Sequence, residues 1–117
     1  MARRGPIASG LTVQLYEDVD APVDTQRVTI LDFWADWCGI CRLIDPVVNR
    51  IVREREVPLL KVNVEEEAEV AKRHNVIALP TLLFLAEDGR ELHRISGSMT
   101  GKQIEAALGS ALAKAAG

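Results

Sequence analysis

The sequence predicts an α/β domain in which one β-sheet is covered by helices on both faces. Two near-continuous apolar runs, residues 28–35 and 57–64, have the composition of strands that are buried on both sides. Each run is followed by a segment with helical character. Because strands alternate with helices, the pattern favours a mostly parallel sheet with right-handed crossovers.

The first half of the chain is predicted to contain two strands and one long helix. Residues 11–16 alternate loosely between apolar and polar types, as a strand can. Residues 39–55 follow the buried strand with helical spacing, and Pro46 inside them is expected to kink the helix. The apolar stripe of this helix is expected to include Leu43, Val47 and Ile51, with Ile44 and Val48 beside it.

The second half is predicted to add a helix, a β-hairpin and a C-terminal helix. Residues 65–74 begin with three glutamates, which suit the positive end of a helix dipole. We expect the acidic residues of this segment to form a solvated face without a chemical role. The remaining predicted elements are, in order, a strand at 81–85, a turn at Asp88-Gly89, a strand at 91–96, and a helix that opens at a Thr100–Gln103 capping box.

Length, charge and composition narrow the classes of function. The chain has 117 residues and a formal net charge of −3, so we expect one domain over residues 11–117 behind a flexible arm over residues 1–10. The acidic balance gives no reason to expect nucleic acid or an acidic membrane as a partner. Arg3 and Arg4 are not followed by an apolar run, and no stretch approaches the ~20 apolar residues of a membrane span. We expect a cytoplasmic monomer.

The two cysteines of the chain, Cys38 and Cys41, lie two residues apart where the first buried strand meets the long helix. Unpaired N–H groups and the helix dipole favour a thiolate at a helix N-terminus, which indicates Cys38 as the reactive sulfur. Cys41 is close enough to resolve a mixed disulfide formed there. The pattern therefore predicts thiol–disulfide exchange.

Two other interpretations of the cysteine pair remain open at this point. A Cys-x-x-Cys pair can be half of a metal site, but His74 and His93 lack ligand spacing to it and no second cysteine pair exists. Two inert, buried cysteines are the other alternative, which Gly39 between them makes less attractive.

Asp32 lies in the middle of an apolar strand, where an acid is costly unless it is paired or protonated. Lys61 interrupts the second apolar run in the same way. If the two strands are neighbours, the two charges can meet inside the protein. They could form a plain ion pair, or Lys61 could reach solvent; alternatively, Asp32 has a raised pKa and exchanges a proton with Cys41.

Three further residues could belong to the same site. Pro80 stands at the first residue of a predicted strand, where a trans peptide bond is the ordinary expectation. Trp34 and Trp37 flank the cysteines and could be core residues. Trp37, at the end of the strand, is the better candidate for the rim of the site, where it would offer an apolar surface to a polypeptide.

Over roughly residues 11–115 the chain resembles the thioredoxin family. The resemblance rests on the order and spacing of a set of motifs: Asp32-Phe33-Trp34-Ala35-x-Trp37-Cys38-Gly39-x-Cys41, Pro46, Lys61-x-Asn63, Pro80-Thr81, Gly89 and Gly97. It implies a central mixed sheet of about five strands flanked by helices on both faces. The family's first helix would fall at residues 17–26, where Pro22 suggests that it is shortened or lost.

The resemblance also implies roles for individual residues. Cys38 would be the nucleophile and Cys41 the resolving thiol, joined as a disulfide in the oxidised protein. Asp32 would transfer the proton with Lys61 as its partner, and Pro80 would be a cis-proline packed against the dithiol. The implied docking surface for an extended client segment consists of Trp37, Gly39, Ile40, Leu79, Gly97 and Ser98.

These roles describe a protein-disulfide reductase without a bound cofactor or metal. Its partners would be disulfide-containing client proteins, and a flavoprotein thioredoxin reductase would supply electrons. Two alternatives remain: a protein dedicated to one client with a different electron donor, and a binding or redox-sensing module with little general reductase activity.

The sequence departs from the family's usual Cys-Gly-Pro-Cys at Ile40. Proline would fix φ and remove an N–H donor at the start of the helix, whereas Ile40 restores a donor near the sulfur. We expect the thiolate form to gain relative to the disulfide. The dithiol should then be less reducing than that of a proline-bearing thioredoxin, as measured by titration against glutathione or dithiothreitol. A potential at or below about −270 mV, typical of thioredoxins, would contradict this expectation.

Overall fold

The structure, a computed structural model, describes residues 28–116 and the backbone of residues 11–14. The predicted arm at residues 1–10 and the predicted loss of a helix at residues 17–26 lie outside the described residues. Within the described part of the chain, no helix is long and apolar enough to cross a membrane.

A five-stranded mixed sheet forms the centre of the protein, as the family resemblance implied. Its strand order is β1-β3-β2-β4-β5, so β2 lies in the middle and is hydrogen-bonded to β3 and β4. The strands are β1 (Leu11–Gln14), β2 (Val28–Trp34), β3 (Leu59–Asn63), β4 (Thr81–Ala86) and β5 (Glu91–Ser96).

The expectation of a mostly parallel sheet is wrong. Among the described strands, β2 and β3 pair in parallel, whereas β1 with β3, β2 with β4 and β4 with β5 are antiparallel. The helix after β3, α2 (Ala68–Arg73), has six residues and is about 9 Å long. That is shorter than β3 itself, which spans about 17 Å. After this short helix the chain enters β4 antiparallel to β2.

The long helix α1 (Gly39–Arg55) has the predicted bounds and continues through Pro46. Its buried face differs from the predicted stripe, because Leu43 is 78% exposed and Val47 is only partly buried. The side chains of α1 that are buried are Cys41, Ile44, Val48, Ile51 and Val52. The sequence allows two overlapping apolar stripes on α1, and packing against the sheet determines which of them is buried.

Side-chain hydrogen bonds shape the turn before α2 and cap the start of α3. Asn63 Oδ1 accepts hydrogen bonds from the backbone N–H groups of Glu65 (2.9 Å) and Glu66 (3.3 Å), so the chain first forms a turn and α2 begins later than predicted. The capping box of α3 (Gly101–Ala116) is confirmed. Thr100 N–H donates to Gln103 Oε1 at 2.8 Å, and Gln103 N–H donates to Thr100 Oγ1 at 3.2 Å.

The sheet has an apolar cluster on each face. On one face, α1 and α3 cover Val28, Ile30 and Leu59 together with β4 residues. On the other, Val70 and Ala71 of α2 pack with a smaller set. The members of this second cluster are Leu31, Phe33, Val62, Val70, Ala71 and Leu83. Successive residues of β2 alternate between the two clusters, as strand geometry requires.

Two positions of α1 test this account of its buried face. Ile51 is fully buried, whereas Leu43 is 78% exposed. We expect Ile51→Ala to lower the free energy of unfolding by about 2–5 kcal/mol, because it leaves a cavity. Leu43→Ala on the same helix should change it by about 0.5 kcal/mol or less. Urea unfolding measures both, and similar losses at the two positions would contradict the observed helix orientation.

Candidate active site

The two cysteines lie at the junction between β2 and α1, where the sequence placed them. Cys38 is the N-cap residue of α1, with an extended backbone, and Cys41 lies in the first turn. They form a disulfide with a Cα–Cα distance of 5.3 Å, within the usual range for such bonds. The Cys41 backbone N–H donates to Cys38 Sγ at 3.1 Å. The helix N-terminus therefore already directs a hydrogen-bond donor at the first sulfur.

The disulfide is recessed but reaches the surface. Cys38 is 8% exposed to solvent and Cys41 is 6% exposed. The two residues between them, Gly39 and Ile40, are exposed. An incoming group would therefore reach the disulfide past these two exposed residues.

An apolar layer packs against the disulfide from inside. Ala35 and the two cysteines form a cluster that Trp34, Val64 and Leu79 cover. Trp34 Nε1 is buried and has no hydrogen-bond partner among the described residues. Trp34 is thus partly buried against the disulfide, in agreement with its interpretation as a core residue.

The loop before β4 and the loop after β5 meet beside this cluster. The Leu79–Pro80 peptide bond is cis, as the resemblance implied and contrary to the ordinary expectation for an X–Pro bond. The Gly97 backbone N–H donates to the Pro80 carbonyl oxygen at 2.8 Å. This bond brings Gly97 and the exposed Ser98 next to the proline. The predicted docking residues of the two loops therefore lie close together.

Trp37 is 65% exposed, and a contact that the sequence did not reveal orients it. Its indole Nε1–H donates to Glu65 Oε2 at 2.7 Å. Glu65 is exposed, as expected, but it lies in the turn capped by Asn63 and not on a helix, and this turn carries it to the tryptophan. No local pattern marks this contact, which joins residues 28 positions apart.

Two further exposed apolar side chains were not predicted as part of this surface. Leu43 lies one turn after Ile40 on α1, and Ile77, in the loop before Pro80, is 97% exposed. The helical periodicity of the sequence had placed Leu43 on the buried stripe of α1.

Asp32 and Lys61 occupy neighbouring strands, as anticipated, and are register partners in the parallel β2–β3 pair. Asp32 is only 4% exposed. The Lys61 ammonium nevertheless forms its ion pair with Asp45 of α1. Sequence reasoning missed Asp45, although an acid four residues after Cys41 lies on the same side of the helix as that cysteine.

Burial raises the pKa of Asp32 from 3.8 to about 7. The positive charge of Lys61 lowers this pKa and the negative charge of Asp45 raises it, but both effects are smaller than that of burial. A carboxyl group with a pKa near neutrality can both accept and donate a proton at working pH. That Asp32 exchanges a proton with Cys41 remains a prediction.

The fold and the site together define a thioredoxin-fold protein with a redox dithiol. A family model for thioredoxin matches residues 12–110, and the chain belongs to the thioredoxin family. The rice protein thioredoxin H2-1 is 42% identical over 80 residues, covering 68% of this chain and 57% of the relative. Mitochondrial thioredoxin-2 of Schizosaccharomyces pombe is 32% identical over 87 residues, covering 74% and 65%. The chain therefore spans less than two thirds of the length of these two relatives.

Solved structures agree with this assignment. A mutant thioredoxin from Halobacterium salinarum superposes with a TM-score of 0.69 at 27% identity, covering 85% of this chain and 87% of the other. Thioredoxin from Fasciola hepatica has a TM-score of 0.64 at 38% identity, with 73% and 83% covered.

The burial of Asp32 predicts a pH-dependent stability. Between pH 4 and 7 the folded protein keeps the Asp32 proton that the unfolded chain has released, so stability contributed by the protonated carboxyl is lost as pH rises. The gap between 3.8 and about 7 corresponds to about 4 kcal/mol at most. Relative to Asp32→Asn, the wild type should therefore lose stability from pH 4 to pH 8.

Denaturant unfolding of the oxidised proteins at several pH values measures this difference. Asp36→Asn provides the control, because the Asp36 side chain is exposed to water in the folded protein as well as in the unfolded chain. A stability difference between wild type and Asp32→Asn that does not vary with pH would exclude a raised pKa at Asp32.

Proposed function

We propose that this protein is a thiol–disulfide oxidoreductase that reduces disulfides in client proteins. The observation that carries the proposal is the Cys38–Cys41 pair at the N-terminus of α1, linked as a disulfide and flanked by exposed apolar side chains. The buried acid Asp32 on the sheet face covered by α1 supports the same chemistry.

In the first step, the Cys38 thiolate attacks one sulfur of a client disulfide. A bond forms between Cys38 Sγ and that sulfur, the client S–S bond breaks, and the second client sulfur leaves as a thiolate. The N-terminal end of α1 stabilises the attacking thiolate through its dipole and through N–H groups such as that of Cys41.

In the second step, Cys41 transfers its thiol proton to the Asp32 carboxylate and attacks Cys38 Sγ. The intramolecular disulfide forms, and the remaining client sulfur leaves as a thiolate. Two electrons have then passed from the enzyme dithiol to the client. In the reverse direction, protonated Asp32 returns the proton to the Cys41 sulfur when a donor reduces the disulfide.

The client segment is proposed to lie across the surface formed by Trp37, Ile40 and the two loops. Trp37 and Ile40 are 65% and 42% exposed beside the disulfide. The Leu79 backbone precedes β4 and can pair with an extended chain. The Pro80–Gly97 hydrogen bond supports this surface from the other side.

The electron donor is proposed to be a flavoprotein thioredoxin reductase that uses NADPH, and the protein is proposed to act as a monomer in the cytoplasm. A recycling donor is required because each catalytic cycle leaves the Cys38–Cys41 pair oxidised. Turnover with NADPH and a thioredoxin reductase would separate a general reductase from a protein dedicated to another donor.

Insulin reduction tests the proposed activity and the assignment of the nucleophile. We expect the wild type to accelerate reduction of insulin by dithiothreitol, and Cys38→Ser to reduce that activity to background. Cys41→Ser should retain attack by Cys38 and accumulate mixed disulfides, which mass spectrometry detects. Iodoacetamide should label the reduced wild type selectively at Cys38.

Two outcomes would count against the proposal. Activity that persists in Cys38→Ser would refute the assignment of the nucleophile. A folded wild type that is inactive with insulin would favour a binding or sensing module instead.

A further inference from the structure

Lys61 stands between two carboxylates that differ in their exposure to water. It is the register partner of Asp32 in the sheet, yet its ammonium contacts Asp45 on α1. The side chain of Lys61 is 13% exposed and that of Asp45 is 41% exposed, whereas Asp32 is almost completely buried. The ammonium therefore pairs with the wetter of the two acids.

Asp45 lies on the partly exposed border of the buried face of α1. It lies one helical turn after Cys41 and one turn before Asn49, whose amide Nδ2 is 3.4 Å from Asp45 Oδ2. Asn49 Oδ1 is buried without a hydrogen-bond partner among the described residues. Cys41, Asp45 and Asn49 thus follow one row of the helix, with the ion pair one turn after Cys41.

A single ammonium cannot neutralise both acids. Its contact with Asp45 leaves Asp32 facing a pair whose charges largely cancel, so the cost of burying an ionised Asp32 is not offset. Among the described residues, Lys61 and Asp45 are the charged groups that act on Asp32. Its register partner on β4 is Leu82, α3 contributes Ile104 and Leu108 to this face, and Cys41 of α1 is held in the disulfide. Burial has the largest effect on the protonation of Asp32, and the position of the Lys61 charge adjusts it.

We propose that Asp45 is a positioning residue that holds the Lys61 ammonium away from Asp32 and so sets the pH at which Asp32 exchanges a proton with Cys41. The consequence for exchange with Cys41 rests on the proposed function, whereas the effect on Asp32 itself does not. Without Asp45, the ammonium is free to approach its register partner and stabilise the ionised form of Asp32.

The titration of Asp32 in the oxidised protein tests this directly. In Asp45→Asn, the titration midpoint of the Asp32 carboxyl should move downward by about one pH unit or more. Carbon-13 NMR of the carboxyl groups measures it, with Asp32→Asn used to assign the resonance. Because the cysteines are joined in the oxidised protein, their thiols do not titrate, and the measurement needs no enzymatic activity.

A matched control uses another acid on the same helix. Glu54 pairs with Arg50 at 3.4 Å on the exposed side of α1. Glu54→Gln removes the same charge from α1 without touching Lys61, so the Asp32 midpoint should stay within about 0.2 pH units, given the screening of exposed charges. Asp45→Glu, which keeps a carboxylate near Lys61, should restore most of the wild-type midpoint.

A double-mutant cycle separates an effect through Lys61 from a direct effect of the Asp45 charge. In the Lys61→Met background, Asp45→Asn should move the Asp32 midpoint by less than half of its effect in the wild type. Lys61→Gln serves the same purpose if the methionine variant does not fold. An unchanged midpoint in Asp45→Asn, or an equal shift with and without Lys61, would overturn the proposal.

A mixed disulfide on Cys38, with Cys41 as a free thiol, provides a second measurement. The rate at which Cys41 releases a preformed mixed disulfide on Cys38 should show a pH midpoint that moves in Asp45→Asn by the same amount and direction as the Asp32 titration. A wild type that does not reduce insulin would defeat the proposed function and leave the carboxyl titration as an independent test of Asp45.

Discussion

The central position of β2 is the constraint on which the rest of the structure depends. Its backbone is hydrogen-bonded to β3 on one side and β4 on the other, and its side chains are covered from both faces. A strand held in this way ends at a defined point, and a short turn over residues 35–38 leads from it to the N-terminus of α1. The end of β2 determines where the sulfurs of Cys38 and Cys41 lie. The middle of β2 holds the buried acid Asp32.

The same constraint explains why a carboxyl group can act as a base or acid here. In water an aspartate is ionised at neutral pH and is a weak base. In the middle of β2, Asp32 is deprived of solvent, and its pKa rises toward neutrality. Burying Asp32 lowers the free energy of unfolding, and burial of the surrounding apolar side chains offsets this loss. The arrangement is consistent with a functional rather than a structural reason for keeping an acid in the sheet.

Features encoded locally were predictable from the sequence, and those that depend on distant contacts were not. The bounds of α1, the capping box at Thr100 and the cysteine pair at the strand-to-helix junction follow from spacing within a few residues. Strand directions depend on how the chain returns to the sheet, so the antiparallel entry of β4 was missed. Leu43 fits a helical stripe as well as Ile44 does, and only the position of the sheet decides between them. The contacts of Asp45 and Glu65 join separate elements, and no short motif marks them.

The hydrogen bond between the Trp37 indole and Glu65 has a consequence for recognition. An exposed tryptophan that rotated freely would lose that freedom whenever a client bound, and the loss would weaken the complex. Here the ring is already oriented in the unbound protein, so the entropic cost of immobilising it falls on folding instead of association. An aromatic face presented in advance therefore strengthens association with a polypeptide for a given contact area.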